Sequence, residues 1–235
     1  MSNFYERIAE TANRFGDRIA VERVGAAGTE LTTYRELIDA AVGIGAWLSG
    51  PAGVRQGDRV AILAANDARW IAAYLGVLRQ GFVVVPLDTA YSVTQVQAIV
   101  ANSGARVLFT TARYLDTASA AIRYSGGARP PMLALLSGDA PPVPAYDEIT
   151  ASGTAPPGIA VKAGDAAVML YTSGTTADPK GVVLTHANLD AERVAVLQVV
   201  SASERDVVLG VLPLFHALAQ MANLLLPLTI GARVV

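Results

Sequence analysis

Tyr171-Thr172-Ser173-Gly174-Thr175-Thr176-Ala177-Asp178-Pro179-Lys180-Gly181 holds the residues of this 235-residue chain best suited to chemistry. Thr172 to Thr176 are small residues in an unbroken row, bringing four hydroxyls and a run of unencumbered backbone N–H groups. Hydroxyls and amides gathered in a concave loop suit an anion, and a nearby ammonium adds a point charge that favours phosphate. Lys180 supplies that charge four residues beyond Thr176, and it is a scarce residue here: Lys162 and Lys180 stand beside sixteen arginines. A phosphate-binding loop is the sharp reading. A polar surface turn is the plain one, because Ser/Thr/Gly clusters commonly join periodic segments. Loop composition leaves the two level, and the flanks decide.

Upstream, Ala166-Ala167-Val168-Met169-Leu170-Tyr171 is a short apolar run bounded by turn residues and predicts a buried strand. Downstream, Gly181-Val182-Val183-Leu184-Thr185 predicts another, set off from the loop by Pro179. A loop between two strands excludes the nucleotide loop G-x-x-x-x-G-K-[ST], which needs Ser or Thr after its lysine and then a helix. Here Gly181 and Val182 follow Lys180, and no G-x-G-x-x-G fingerprint occurs elsewhere. This is a different kind of phosphate loop.

The surrounding elements alternate. Helices are expected over Phe4–Phe15, Tyr34–Leu48 and Asp67–Leu78, where apolar residues keep the i, i+3, i+4 spacing. Ser92 with Gln95 has the form of a capping box for a helix to about Asn102 that Gly104 ends. Strands are expected at Ile19–Val24, Arg59–Ala64, Phe82–Val85, Arg106–Thr110 and Met132–Leu136, with a weaker helix between the last two, and a helix from about Ala187 to Val200. This rhythm predicts an α/β fold of doubly wound, mostly parallel sheets with flanking helices. Residues 1–136 form a first α/β portion, 137–164 a proline- and glycine-rich connection, and 165–235 the start of a second portion carrying the phosphate loop.

Composition sets limits. Over half the residues are apolar, enough for a sizeable core, and formal net charge is −2. The arginines are scattered singly, so nucleic-acid binding lacks its electrostatic footprint. Without cysteine there is no disulfide or thiolate chemistry. The start, Met1 to Arg7, has no apolar core of a signal peptide, which makes a cytoplasmic enzyme the expectation. From Val207 to Ala232 no charged residue occurs, long enough for a membrane span. Yet Gly210, Pro213, Pro227 and Gly231 punctuate it, and His216, Gln220 and Asn223 lie inside. A strand (Asp206–Leu212), a loop at Pro213–His216, a helix (Ala217–Leu226) and a turn at Gly231 fit better.

Tyr171 to Gly181, with Val182-Val183-Leu184-Thr185-His186 and Asn188 behind it, resembles the signature of the adenylate-forming (AMP-binding) superfamily, which includes acyl-CoA synthetases, luciferases and peptide-synthetase adenylation domains. Three further segments resemble it in order. They are Leu31-Thr32-Thr33-Tyr34-Arg35-Glu36-Leu37, Leu78-Arg79-Gln80-Gly81-Phe82-Val83-Val84-Val85-Pro86-Leu87-Asp88 and, in the acyl-CoA synthetase branch, Pro213-Leu214-Phe215-His216. The resemblance implies two doubly wound subdomains with the active site at their junction, part of the large N-terminal domain of such an enzyme. It implies ATP, Mg²⁺ and coenzyme A as cofactors. A carboxylate would join the α-phosphate of ATP, pyrophosphate would leave, and the coenzyme A thiol would then take the acyl group.

By the same resemblance, Thr172, Ser173, Gly174, Thr175 and Thr176 would wrap the β- and γ-phosphates with Lys180 near them, and Thr176 is the candidate to reach Mg²⁺ carried by the nucleotide. Gly174 and Gly181 would allow close backbone approach or positive φ. His216 would lie near the acyl pocket and the adenylate as a catalytic candidate; the alternative is a core histidine bonded to backbone. His186 is expected to help start a helix, with no catalytic role. Amino-acid-activating relatives place an aspartate for the substrate ammonium in the region of 207–235, and none occurs here, so a fatty or other simple carboxylate fits better. Ala177 stands where the family pattern has glycine; if that position needs φ > 0, alanine costs about 1 kcal/mol, and Ala177→Gly should tighten nucleotide binding. The family's downstream parts, with the adenine pocket and the small C-terminal domain, have no counterpart before Val235, so an N-terminal fragment, inactive alone, is the leading expectation. A non-catalytic nucleotide-binding module is the second, and an interaction fragment completed by a partner chain the third.

Overall fold

A computed structural model describes residues 3–26, 28–123, 130–151, 157–171 and 179–235. The chain opens with α1 (Phe4–Phe15), whose start is closed reciprocally: the Asn3 side chain accepts from the Glu6 amide and the Glu6 carboxylate from the Asn3 amide. A hairpin of β1 (Ile19–Gly25) and β2 (Gly28–Thr33) leads into α2 (Tyr34–Ser49), begun by a second such box between Thr33 and Glu36. Strand and helix then alternate through β3 (Arg59–Ile62), α3 (Ala68–Arg79), β4 (Val83–Pro86), α4 (Val93–Ser103), β5 (Val107–Thr111), α5 (Leu115–Arg123) and β6 (Met132–Ser137). The Ser92–Gln95 box opens α4, and Gly104 ends it at φ 61°, a left-handed position that suits glycine. A short α6 (Tyr146–Thr150) precedes the β7 (Ala166–Tyr171) and β8 (Gly181–Thr185) hairpin, which runs into α7 (His186–Val199). The chain closes through β9 (Val207–Val208), α8 (Ala217–Gln220), a π-helical turn at Met221–Leu225, α9 (Leu226–Ile230) and β10 (Arg233–Val234).

The strands form two sheets. The larger has the order β6-β5-β3-β4-β7-β8, parallel except for β8. Side-chain alternation explains how it is covered. Val60, Ile62, Val84, Val107, Phe109, Ala134 and Leu136 face one core shared with α1, α2 and α3, while Ala61, Leu63, Val85 and Leu108 face another packed by α4 and α5. Apolar residues on both faces are the mark of a parallel sheet buried on both sides, and the helices on either face make it doubly wound. The second sheet has the order β2-β1-β10-β9. Sheet membership does not follow the chain. β7 and β8, which the sequence places at the start of a later portion, extend the sheet of residues 59–137, and it is the N-terminal hairpin that joins β9 and β10.

Two expectations change, and one strand comes unannounced. β2 carries little apolar alternation and is mostly exposed, so its period is invisible in the sequence. The strand expected over Asp206–Leu212 is two residues long, because β10 pairs with it only at Arg233↔Val207 and Val234↔Val208. The helix expected over Ala217–Leu226 widens into a π turn and runs on to Ile230, ended by Gly231 at φ 90°. Among the described residues no helix is long and apolar enough to cross a membrane.

Candidate functional site

Because β7 runs parallel to β4, its last residue, Tyr171, arrives at the carboxyl edge of the parallel strands, where open α/β sheets hold their ligands. Gly181 pairs with it across the hairpin and begins the return. Thr172, Ser173, Gly174, Thr175, Thr176 and Ala177 lie outside the described residues. Lys180 lies inside them; it is exposed and makes no ion pair with another described residue. The Tyr171 hydroxyl donates to Asn102 Oδ1 of α4 at 2.6 Å, and burial pushes its pKa up. Gly181 does not have positive φ. Its close approach is to aromatic carbon: an added Cβ would sit 3.0 Å from Tyr171 Cζ and 3.1 Å from Met169 Cγ.

His216 stands elsewhere on the carboxyl side, in the loop that leaves β9. It is exposed, with its ring centroid 4.4 Å from that of Phe215, so the core-histidine alternative does not describe it. The buried histidine is His186, the first residue of α7, which is 4% exposed and whose ring nitrogens have no hydrogen-bond partner among the described residues. Burial lowers the His186 pKa, against the opposing pull of Asp165 and Glu6. Thr185 and Asn188 cap α7 reciprocally, so the start of the helix is theirs and His186 contributes packing.

The loop bearing His216 is held by residues that no sequence pattern marks. Asn66, just past β3, donates through Nδ2 to the Leu212 carbonyl at 2.8 Å and accepts through Oδ1 from the Leu214 N–H at 2.9 Å. Asn223 in the π turn donates to the Leu209 carbonyl at 2.9 Å, and its buried Oδ1 has no partner among the described residues. A cavity of about 370 Å³ opens between these groups, walled by Val21, Ile71, Leu209, Leu214 and Val234, with Asp67 and Asn223 at its polar margin. Burial pushes the Asp67 carboxyl up, although it accepts the Trp70 N–H as the cap of α3. Asn66 and Asp67 follow β3, residues 209–214 follow β9 and Val235 follows β10, so the cavity is built from strand ends of both sheets. Among the described residues no cluster of three His, Asp or Glu side chains is arranged to hold a metal.

Known proteins bear on this arrangement. The sequence model of a family described as "AMP-binding enzyme" matches residues 8–235. The chain is 32% identical to human mitochondrial malonate–CoA ligase over 225 residues, which is 94% of this chain and 37% of that protein. It is 36% identical to feruloyl-CoA synthase from an Amycolatopsis species over 168 residues, 72% of this chain and 31% of that one. The fold superimposes on a benzoate CoA ligase from Burkholderia xenovorans with a TM-score of 0.85 at 25% identity, covering 100% of this chain and 45% of the other. The chain thus spans 31% to 45% of the length of these proteins.

Proposed function

The chain belongs to the AMP-binding enzyme family, and on that premise we propose that it carries the nucleotide-gripping part of an ATP-dependent acid–CoA ligase. A carboxylate oxygen attacks the α-phosphorus of ATP, the bond from that phosphorus to the α,β-bridging oxygen breaks, and acyl-adenylate and pyrophosphate result. The coenzyme A thiol, losing its proton, then attacks the acyl carbon, and AMP leaves. The first step brings an anion to a polyanion, so fixed N–H groups, hydroxyls and a cation aimed at the phosphates are the natural aid. Thr172, Ser173, Gly174, Thr175 and Thr176 surround the β- and γ-phosphates in this reading, and Lys180 supplies charge. Thr176 is the residue that would reach Mg²⁺ carried by the nucleotide, and the ion would neutralise phosphate charge there. His216 faces the carboxylate and the adenylate.

The observation that carries the reading is the β7–β8 hairpin: β7 ends with Tyr171 at the carboxyl edge of a parallel sheet, and the return begins at Gly181 next to an exposed Lys180 that makes no ion pair with another described residue. The proteins named above act, by their names, on malonate, ferulate and benzoate, which supports a simple carboxylate substrate, with a fatty acid the narrower choice. The absence of aspartate from 207–235 agrees with a substrate lacking an ammonium. A second reading is that these 235 residues bind nucleotide without turning it over. Calorimetry with MgATP and isotope exchange between ATP and pyrophosphate test both. Lys180→Ala should weaken ATP binding about tenfold, the order of one lost charge-assisted contact. Lack of ATP binding at millimolar concentration would refute the grip, and robust exchange by the isolated chain would refute inactivity.

A further inference from the structure

We propose that Asn66 is the positioning residue for His216. The segment after β9 has little ladder to rest on: its strand ends at Val208, and Pro213 has no N–H to donate. Asn66 supplies what is missing on both sides of that proline. One amide side chain satisfies the Leu212 carbonyl with its donor and the Leu214 N–H with its acceptor, across 146 and 148 residues of sequence. Leu214 is thereby seated in the core, and the His216 N–H returns to the Pro213 carbonyl at 3.0 Å, which closes the turn that presents the imidazole outward. Asn66 is itself held in place: Asp67 beside it caps α3, whose Trp70 is buried against Tyr74. The imidazole therefore takes its place from the end of β3, in the other sheet, rather than from its own strand. An aspartate of the same shape keeps the acceptor and loses the donor, so no isosteric substitution preserves both bonds.

The inference rests on the reading of His216 as facing the carboxylate, and its test separates the two. The chain has two histidines, one buried and one exposed, so proton NMR gives two imidazole signals that His216→Gln assigns. Asn66→Ala and Asn66→Asp should both shift or broaden the His216 signal, leave that of His186 in place, and speed amide exchange at residues 211, 212 and 214–216 by about tenfold. The isosteric Asn66→Asp, with its melting curve alongside, guards against simple unfolding of the alanine variant. Unchanged His216 signals and exchange rates in both variants overturn the proposal. MgATP with octanoate is the second arm. If this mixture leaves the wild-type His216 signal unmoved while the Asn66 variants still displace it, the positioning role stands and the substrate-facing reading fails. If it moves His216 equally in wild type and both variants, Asn66 does not position the imidazole.

Discussion

The two sheets of this molecule are finished to different degrees. In the six-stranded sheet both faces are packed, and residues such as Val60, Ile62, Phe109 and Leu108 are wholly buried. In the four-stranded sheet β9 and β10 are two residues each, and the segment beyond β9 leaves Leu209 66% and Val211 68% exposed. The difference teaches where order comes from. The larger sheet is held by hydrophobic burial on both sides, which falls steeply if one large side chain is lost. The helical segment that leads into β10 is tied to α1, α2 and α3 by long-range polar bonds: Tyr34 to the Ala232 carbonyl at 2.7 Å, Thr11 to that of Thr229 at 2.9 Å, and Tyr74 to Gln220 at 3.1 Å.

Substitutions can break or sharpen that contrast. Trp70→Ala, beneath the larger sheet, should cost about 3–5 kcal/mol in a urea melt, and a loss below 1 kcal/mol would show that this core is not the dominant one. Gly43→Ala follows, because a Cβ there would sit 2.1 Å from the Thr150 carbonyl oxygen where α2 meets α6. About 1–3 kcal/mol is expected for such overpacking, read in the same assay. His186 gives a smaller effect that depends on pH. Its native pKa lies below the ordinary histidine value, so the unfolded chain binds the proton more readily. Stability should therefore fall as pH drops from about 6.5 towards the lowered native value, and His186→Gln should flatten that part of a stability–pH curve; an unchanged slope would count against the neutral buried ring. Val211→Ser should be the mildest, within about 0.5 kcal/mol. A melting shift of several degrees would mean that the exposed apolar segment is packed in solution.

Legibility in the sequence followed the same division. α1, α2, α3 and β3 to β8 were readable within a residue or two, because buried two-faced strands and amphipathic helices write their periods into the chain. The capping box at Ser92–Gln95 marked a helix start for the same local reason. β2 and α6 escaped, the first for want of alternation and the second inside a proline-rich stretch. Within the candidate site, Lys180 was legible from its motif and His216 from the segment around it. Asn66 and Asn102 were not: an asparagine near a helix end looks the same whether or not it bonds to a backbone or a tyrosine far along the chain.

The sequence by itself determined the family, the alternation of helix and strand, and the chemical type of the loop between Tyr171 and Gly181, since motif spacing and periodicity are local properties. Only the tertiary structure decided which strands share a sheet, that β7 and β8 belong with residues 59–137, and that His186 is buried while His216 faces out. It also decided that Asn66 joins the sheets at the His216 loop. Those outcomes depend on contacts between residues far apart along the chain, such as Val84 with Val168 and Asn66 with Leu212, and no local pattern encodes which distant carbonyl an amide will meet.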